Sequence, residues 1–251
     1  MIRLKTEEQI KRIRQSCHLT ARLMEQLASF IEPGMSTWDI DQYCYDFITR
    51  HKGVPAFLNY EGFPATACIS VNEEVIHGIP SKSTIIKEGD LVDVDLGINM
   101  GGHFSDMART FIIGNTKDEY RKLCEVTQQC LVLAIEAASA KGARIQDIGS
   151  AVYKYATKHG YGVVRDYCGH GVGLAVHEEP EIPNYTSSYL PNPRLREGMV
   201  LAIEPMINLG THKVKVLAND WTVVTLDGLP SAHFEDTVAC THNGLEILTV
   251  V

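Results

Sequence analysis

The stretch LVDVDLGINMGGHFSDMART, residues 91–110, carries the strongest structural signal in the chain. Its first part, Leu91 to Ile98, is an apolar run rich in branched side chains, which predicts a buried strand. Asp93 and Asp95 interrupt this run two residues apart, so both side chains leave the same face of the strand. An ionised carboxylate in a sheet interior is costly unless it is compensated, and here two stand close together.

The second part of this stretch predicts a hairpin. The Gly101–Gly102 pair favours a tight turn, and a second strand is expected from His103 to about Ile113. In such a hairpin Asp106 lies opposite or diagonal to Asp95, within cross-strand reach. Because the usual compensation for neighbouring buried carboxylates is a cation, further ligands are expected elsewhere in the chain.

The composition places the chain among ordinary globular proteins, with 45% hydrophobic and 22% charged residues in 251. That length suffices for one large domain or two small ones. The net charge of −8 and the lack of a dense Lys/Arg patch argue against a specific nucleic-acid partner. No apolar run approaches the roughly 18–20 residues of a membrane span, and the charged N-terminus does not fit a signal peptide. Seven cysteines without a CxxC pair fit reduced thiols, so a cytoplasmic location is expected.

Helix and strand signals alternate along the chain. Capping boxes predict helices beginning at Thr6-x-x-Gln9, Ser36-x-x-Asp39 and Thr116-x-x-Glu119, and a fourth helix is expected from near Gln146 to about Lys158. Besides the hairpin, the predicted strands are Ala67–Val71, MVLAIEPMIN (199–208), VVTLDG (223–228) and AHFEDTVAC (232–240). The segment CGHGVGLAVHEEPEIPNY (168–185) is expected to be mostly loop.

An internal repeat relates the two parts of the chain. A fixed shift superposes Gly34, Asp39, Ile40, Tyr45, Thr49 and His51 on Gly142, Asp147, Ile148, Tyr153, Thr157 and His159. Nearly the same shift places Asp95 on Glu204, and HFSDMART resembles HFEDTVAC. Chance matching of two helices is the alternative, and the second acidic strand pair makes it the weaker account. The expectation is one α+β domain, residues 1–251, built of two pseudo-symmetric halves, about 1–115 and 116–251.

The repeat supplies four acidic residues for one centre: Asp95 and Asp106 from the first hairpin, Glu204 and Glu235 from the second. Four such groups repel strongly in a low-dielectric interior unless several are protonated or cations bind between them. Four carboxylates are too many for one catalytic zinc and suit two divalent ions about 3.5–4 Å apart. The alternative is that they pair with Lys or Arg, for which Arg109 is the one evident candidate.

Among ten histidines, His170 is the best candidate for a nitrogen ligand. It stands between Gly169 and Gly171, where the backbone can bring the ring close to other groups. One imidazole would shift the choice of ions toward Mn, Fe, Co or Zn. His177 and His77 are candidates for moving a proton or holding a polar group of a substrate, and for His233 a core and a site role both stay open.

The ordered set Asp95, Asp106, His170, Glu204 and Glu235 resembles the five metal ligands of the type I methionine aminopeptidases. The resemblance covers essentially the whole chain and rests on the motifs CISVNE (68–73), HGIP (77–80), GHGVG (169–173) and EP (204–205). Type I is indicated because there is no long N-terminal extension and no large insert between His170 and Glu235. The resemblance implies the pseudo-symmetric pita-bread fold, an antiparallel sheet core covered by helices.

The same resemblance implies an activity: dinuclear metal-assisted removal of the initiator methionine from nascent polypeptides. Glu204 is then the general base, His177 contacts the peptide carbonyl or nitrogen, and His77 assists near the leaving group. The substrates are N-terminal Met peptides, met near the ribosome by a cytoplasmic monomer. The residues implied to line the methionine pocket are Tyr60, Phe63, Cys68 and Trp221, with Phe57 and Met206 as additions. Ordinary core packing is the alternative for each of them, and for Met206 it is at least as good.

The sequence departs from the family pattern at two places. Leu174-Ala175-Val176 stands where the family commonly has a basic residue and an aromatic, and loss of the aromatic before His177 is expected to open the pocket wall. His233 and Asp236 replace a typical Gln and His, which would change the surroundings of Glu235. Asn72 and Ser231 match positions whose backbone oxygens help to hold a monovalent cation in the family.

Two other functions compete with this interpretation. An X-Pro dipeptidase or aminopeptidase P relative would keep all five ligands but normally has an additional N-terminal domain, for which this chain has no room. A metal-free pita-bread module that binds peptides without hydrolysis would have no use for uncompensated buried carboxylates. Cleavage of Met-Ala-Ser against Ala-Pro peptides, with and without Mn²⁺, Fe²⁺ or Co²⁺, separates the three.

Overall fold

Four helices cover the molecule, and the computed structural model describes all residues, 1–251. Their bounds are α1 Glu7–Phe30, α2 Thr37–Arg50, α3 Asp118–Ala138 and α4 Ile145–Lys158, with a short 3₁₀ turn at Tyr60–Gly62. In none of the helices are length and apolarity sufficient for crossing a lipid bilayer.

The local sequence explains where these helices begin. Both Thr6 with Gln9 and Ser36 with Asp39 form the predicted capping boxes, in which side chain and backbone groups satisfy each other reciprocally. The predicted box at Thr116 is wrong. The Thr116 hydroxyl instead donates to the carbonyl of Gly89 at 2.6 Å, and the helix begins two residues later without a side-chain cap.

Sixteen short strands form the interior. Their bounds are β1 Val54–Pro55, β2 Cys68–Val71, β3 Glu74–Ile76, β4 Leu91–Leu96, β5 Ile98–Asn99, β6 Met107–Ile112, β7 Gly162–Val163, β8 Gly169–Gly171, β9 Glu178–Ile182, β10 Val200–Ile203, β11 Met206–Asn208, β12 Val214–Val216, β13 Val223–Thr225, β14 Ser231–His233, β15 Asp236–Thr241 and β16 Gly244–Ile247. Every pairing among these strands is antiparallel, and the two sheets that matter for the site have the orders β2-β4-β6 and β16-β15-β10-β8-β9.

In the first sheet, the buried strand β4 pairs with β6 so that Asp95 faces Ala108. Asp106 therefore lies diagonal to Asp95, as predicted, but the second strand begins at Met107 rather than at His103. The turn is wider than expected because residues 97–106 form an irregular connection, held by a bridge between Asn99 and Phe104. Asp106 is thus the last residue of the connection and not a residue of the strand.

Two expected strands are each broken in the middle, with one half in the second sheet and the other half in a separate sheet of order β14-β11-β7. MVLAIEPMIN divides into β10 and β11 at Glu204–Pro205, and AHFEDTVAC divides into β14 and β15 at Phe234–Glu235. The segment expected to be mostly loop contains two strands, β8 and β9, which pair with each other. Gly169 and Gly171 of GHGVG permit the close approach of the neighbouring strands there.

The two faces of β4 have different environments. Val92, Val94 and Leu96 pack against α1 and α2 in one buried cluster. Asp93 and Asp95 leave the opposite face, toward the second sheet. On that side α3 and α4 cover β10 through Leu201 and Ile203, in a second and larger cluster.

Backbone contacts join the two sheets directly at the acidic residues. The amide of Glu235 donates to the carbonyl of Ala108 at 2.9 Å, and Arg109 forms a bridge with Phe234. The hydroxyl of Thr237 accepts from the amide of Asp106 at 3.1 Å and donates to its carbonyl at 2.7 Å. The first and second acidic hairpins therefore meet edge to edge.

Candidate metal centre

A cavity of about 110 Å³ lies where the two sheets meet. The metal-ligand, catalytic and pocket residues expected from the sequence all line it: Tyr60, Phe63, Cys68, His77, Asp95, Asp106, His170, His177, Glu204, Trp221 and Glu235. Side chains from distant parts of the chain therefore converge on one space, polar on one wall and aromatic on the other.

The carboxylates are placed by the ends and interruptions of strands. Asp95 projects from β4, whereas Asp106, Glu204 and Glu235 each stand beside a strand end, where the backbone is free to turn the side chain inward. At the break between β10 and β11, the side-chain amide of Asn184 donates to the backbone carbonyl of Glu204 at 2.9 Å. Sequence reasoning missed Asn184 because its segment was expected to be loop.

The buried carboxyl groups are poorly solvated and close to one another. Burial raises the pKa of Asp95 to about 8. Burial, with the neighbouring Asp95 and Glu204, raises the pKa of Asp106 well above its ordinary value, and Glu235 is raised by burial and by Asp106. One oxygen of each of these three groups, Asp95 Oδ1, Asp106 Oδ1 and Glu235 Oε1, has no hydrogen-bond partner. Unpartnered buried carboxylate oxygens are the atoms that a cation would compensate.

His170 is oriented to offer one nitrogen to the centre. Its Nδ1 lies 2.9 Å from the carbonyl of Gly171, which can only accept, so Nδ1 donates, and in the neutral imidazole Nε2 is then the nitrogen available to a metal. Nε2 lies 3.6 Å from Asp106 Oδ2 and 3.4 Å from Glu204 Oε1. Ligand atoms of Asp106, His170 and Glu235 all lie within 4.8 Å of one another. The residues present therefore fit a divalent cation.

The glycines on both sides of His170 are required by close packing. A β-carbon at Gly169 would collide with the carbonyl of Ala202, and one at Gly171 would collide with the carbonyl of Glu179. His170 therefore lies within strand β8, pressed between β10 and β9, and not in the glycine-flanked loop that was expected.

Arg109 does not neutralise the acidic centre. Its Nη2 donates to Asp236 Oδ1 at 2.7 Å, and its Nη1 donates to the carbonyls of Ala108 and Glu235. Arg109 thus lies behind Glu235 and fixes its backbone, while none of the four central carboxylates has a Lys or Arg partner. The explanation by Lys or Arg pairing is therefore wrong, which leaves protons or cations as the compensation.

His233 proves to be a buried neighbour of the centre. Its Nδ1 lies 3.4 Å from Asp93 Oδ2 and its Nε2 lies 3.6 Å from Glu204 Oε2. Burial alone would lower the pKa of His233, but the adjacent Asp93 and Glu204 carboxylates raise it well above its ordinary value. The His233 ring therefore lies between Asp93 and Glu204, with Nε2 lacking a hydrogen-bond partner, and Asp93 itself does not line the cavity.

Two further histidines stand at the cavity mouth. His177 Nδ1 lies 3.1 Å from the hydroxyl of Tyr60, and its ring meets that of His170 edge to face at 4.2 Å. The surrounding protein, and then His170, lower the pKa of His177 to about 4, even though the residue is exposed to solvent. His77, at φ 59°, has its pKa lowered by burial and meets Trp221 edge-on at 6.2 Å.

The apolar wall is built by a small cluster of aromatic and sulfur-containing side chains. Phe63 and Trp221 meet edge to face at 5.1 Å, and Phe57, Cys68 and Val176 pack beside them. Val176, which stands in place of the family's aromatic directly before His177, is buried in this cluster but does not line the cavity. Met206 does not line the cavity and is fully buried in a separate cluster. Glu61 and Ile76 line the cavity but carry no sequence signal that distinguishes them.

Comparison with known protein families identifies the family of this chain. The sequence model of Metallopeptidase family M24 matches residues 11–242. The chain belongs to this family. Membership implies use of divalent metal, in agreement with the unpartnered oxygens of the centre. It also confirms the expected pita-bread fold.

Within family M24, individual relatives match over their full length. A methionine aminopeptidase from Treponema pallidum is 52% identical over 249 residues, 99% of this chain and 96% of that relative. The crystal structure of methionine aminopeptidase from Rickettsia prowazekii superposes with a TM-score of 0.95 at 37% identity, covering 100% of both chains.

The X-Pro alternative fits less well. Prolidase from Pyrococcus furiosus superposes with a TM-score of 0.77 at 28% identity, covering 99% of this chain but only 65% of the prolidase. The chain thus shares the fold of the prolidase, whereas it matches a methionine aminopeptidase along the whole of both chains. The comparisons favour the main interpretation over this alternative.

Proposed function

We propose that the protein removes the N-terminal initiator methionine from nascent polypeptides by metal-assisted hydrolysis of the first peptide bond. One observation carries the proposal: a wall of buried, unpartnered carboxylate oxygens faces an aromatic and sulfur-lined pocket within a single cavity. The first feature fits a hydrolytic metal centre, and the second fits a thioether side chain.

The metal is held, in this proposal, by Asp95, Asp106, His170, Glu204 and Glu235. Five protein ligands with four carboxylates suit two divalent ions of the Mn, Fe, Co or Zn type rather than one zinc. When bound, such ions make a water molecule more acidic and polarise the scissile carbonyl. A monovalent cation at the backbone oxygens of Asn72 and Ser231 is a further proposal; there the amide of Ser231 donates to the carbonyl of Asn72 at 2.9 Å.

Glu204 is the proposed general base. It stands at the break between β10 and β11, with one oxygen toward His170 and the other toward His233. From there it takes a proton from the attacking water and delivers that proton to the leaving amine. The side-chain amide of Asn184 donates to the backbone carbonyl of Glu204 and so holds the backbone between β10 and β11, while the Glu204 carboxylate transfers the proton.

His177 and His77 act on the substrate from the open side of the cavity. Each ring offers one N–H donor and one acceptor nitrogen. His177, held by Tyr60, contacts the peptide carbonyl or nitrogen, and His77 assists near the leaving group. Both rings line the same cavity as the proposed metal ligands, beside His170 and Glu204, so they can reach a peptide bond held there.

The methionine side chain occupies the pocket formed by Tyr60, Phe63, Cys68 and Trp221, with Phe57 beside them. The cavity of about 110 Å³ contains both this pocket and the carboxylate wall, so a methionine side chain in the pocket lies next to the proposed metal ligands.

In the cell, we place the enzyme in the cytoplasm as a monomer that meets nascent chains near the ribosome. Residues 1–251 form a single catalytic domain in this proposal, with halves of about 1–115 and 116–251. The 14-residue lengths of both α2 and α4, each followed by an acidic hairpin, support this division.

Peptide cleavage tests the function. Met-Ala-Ser and Ala-Pro peptides are incubated with protein freed of metal by a chelator, alone and with Mn²⁺, Fe²⁺ or Co²⁺ restored, and released amino acids are quantified. We expect metal-dependent release of methionine from the first peptide and no cleavage of the second. Absence of methionine release with every metal would overturn the proposal, and preferential cleavage of Ala-Pro would assign the protein to the X-Pro class.

A further inference from the structure

A buried ion pair connects the start of the chain to the cavity mouth. Lys5 Nζ lies 3.0 Å from Glu178 Oε2, and the two side chains are only 1% and 3% exposed. Lys5 precedes the first helix, while Glu178 directly follows His177 and begins β9. Burial lowers the pKa of Lys5 against the opposing effect of Glu178, so this pair is set in a poorly solvated environment.

The other oxygen of Glu178 holds the loop that carries His177. Oε1 accepts from the amide of Leu174 at 2.7 Å and from the amide of Ala175 at 3.2 Å. These amides belong to the loop between β8 and β9, which is also held by the burial of Val176 and by a hydrogen bond from the Gly173 amide to the Ala175 carbonyl at 3.1 Å. The Glu178 carboxylate is therefore the polar clamp of the loop, and Lys5 is its counter-ion.

The surroundings are shaped to admit Lys5. Gly173, at φ 127°, has no room for a β-carbon, which would lie 2.6 Å from Ile13 Cδ1 and 3.4 Å from Lys5 Cε. Gly198, at φ 87°, lies under the Lys5 backbone, and its carbonyl accepts from the Lys5 amide at 2.7 Å. Two glycines in left-handed conformations thus allow the N-terminal segment to lie directly over the loop.

We infer that Lys5 is a positioning residue for His177: by neutralising Glu178 it keeps the loop 174–177 clamped and the imidazole at the cavity mouth. The inference rests on the proposed role of His177 in contacting the peptide. Removing one partner of a buried ion pair leaves an uncompensated charge, which is far more disruptive than losing an exposed pair. Without Lys5, the Glu178 carboxylate is expected to turn toward water and release both amides.

Lys5→Met tests the clamp while keeping the bulk of the side chain. We expect amide hydrogen exchange at Leu174 and Ala175 to accelerate about tenfold or more, and kcat/KM for Met-Ala-Ser to fall about tenfold or more. The affinity for Mn²⁺ alone, measured by titration calorimetry, is expected to stay within about twofold. Arg14→Met is the matched control, because its pair with Glu246 also ties the N-terminal region to a strand but is 31% and 41% exposed.

A double variant separates compensation of charge from general loss of structure. In Lys5→Met/Glu178→Gln no charge is buried, and the Gln oxygen can still accept from the two amides. We expect slow exchange at Leu174 and Ala175 and most of the activity to return, even where Lys5→Met alone does not fold. Unchanged exchange at these amides in Lys5→Met, equal losses of Mn²⁺ affinity and activity, or no rescue in the double variant would each overturn the inference. Failure of wild-type protein to release methionine would instead count against the proposed function, since the exchange experiment is independent of it.

Discussion

Asp93 and His233 face each other across the first and second acidic hairpins, with Asp93 Oδ2 3.4 Å from His233 Nδ1. The far side of the same ring lies 3.6 Å from Glu204 Oε2. The His233 ring therefore separates Asp93 from Glu204, although the Asp93 side chain leaves the same face of the strand as Asp95. Two carboxylates that look equivalent in the sequence have different surroundings in the fold.

Exchanging each of these aspartates for asparagine separates them. Asp95→Asn is expected to abolish metal-dependent activity, because it removes a charge whose oxygen has no protein partner. Asp93→Asn should leave most of the activity, since Asp93 contacts only His233 and Thr110. Measurement of kcat/KM at saturating Mn²⁺ checks both variants, and equal losses would refute the distinction.

Metal binding is expected to release protons. Burial raises the pKa of Asp95 to about 8, and burial with the neighbouring carboxyls raises the pKa values of Asp106 and Glu235, so the metal-free centre holds protons more tightly than ordinary carboxyls do. Ions require the carboxylate forms, so the apparent affinity for Mn²⁺ should increase as the pH rises from about 6 to about 8. Calorimetric titrations in buffers of different ionisation enthalpy count the released protons, and a pH-independent affinity would contradict this prediction.

The same raised carboxyl pKa values determine whether the stability of the metal-free protein rises or falls with pH. A carboxyl whose pKa is higher in the folded than in the unfolded state stabilises the fold at low pH, and that contribution is lost as the pH rises through the folded pKa. The unfolding temperature without metal should therefore fall between about pH 4, the ordinary carboxyl value, and about pH 8. Added Mn²⁺ should raise the unfolding temperature more at pH 8 than at pH 5, as differential scanning calorimetry can show.

Arg109 is expected to support the proposed metal site by holding the backbone of Glu235 and the Asp236 carboxylate. Arg109→Met leaves Asp236 without its ion-pair partner and the Glu235 carbonyl without a donor. Groups that orient ligands in this way typically contribute about 10–100-fold in metal affinity. Mn²⁺ titration of the variant measures the loss. The control is Arg12→Met, since the pair between Arg12 and Glu8 is 57% and 64% exposed and lies on the outer face of α1; a similar loss in the control would contradict this role.

Phe63 is expected to set the fit of the substrate side chain. Phe63→Ala removes the ring that meets Trp221 and should destabilise the protein by about 3–5 kcal/mol. It should also raise KM for Met-Ala-Ser while admitting bulkier first residues, such as phenylalanine. Phe30→Ala is the control, because Phe30 stacks on Tyr43 away from the cavity. A change in substrate preference in the control as well would show that general loosening, not the pocket, is responsible.

Much of the centre follows from local patterns. The period of two places Asp95 on a known face of β4, and the Gly–Gly turn brings Asp106 within reach of it. The repeat extends the argument to Glu204, because the same helix-and-strand unit occurs twice. These inferences need only the geometry of neighbouring residues and the free-energy cost of burying charge. Both can be judged from the order of residues in the chain.

Other features depend on contacts between distant segments. Nothing near His233 in the chain indicates that it lies against Asp93, so a core and a site role could not be separated in advance. The breaks at Glu204–Pro205 and Phe234–Glu235 form where the hairpins meet, although each sequence alone favours one continuous strand. The Thr116 hydroxyl had a competing acceptor in the Gly89 carbonyl, and a local capping pattern cannot show such competition.

The hydrogen bond from the Glu235 amide to the Ala108 carbonyl also has a consequence for biosynthesis. During translation the first hairpin is synthesised before the second, so Asp95 and Asp106 are present before the other two carboxyls of the centre. Glu204 and Glu235 join them only when the second hairpin has packed against the first. The proposed ligand set is complete only after residue 235 has been synthesised, so a chain stalled before Glu235 is expected to bind Mn²⁺ more weakly than the full chain.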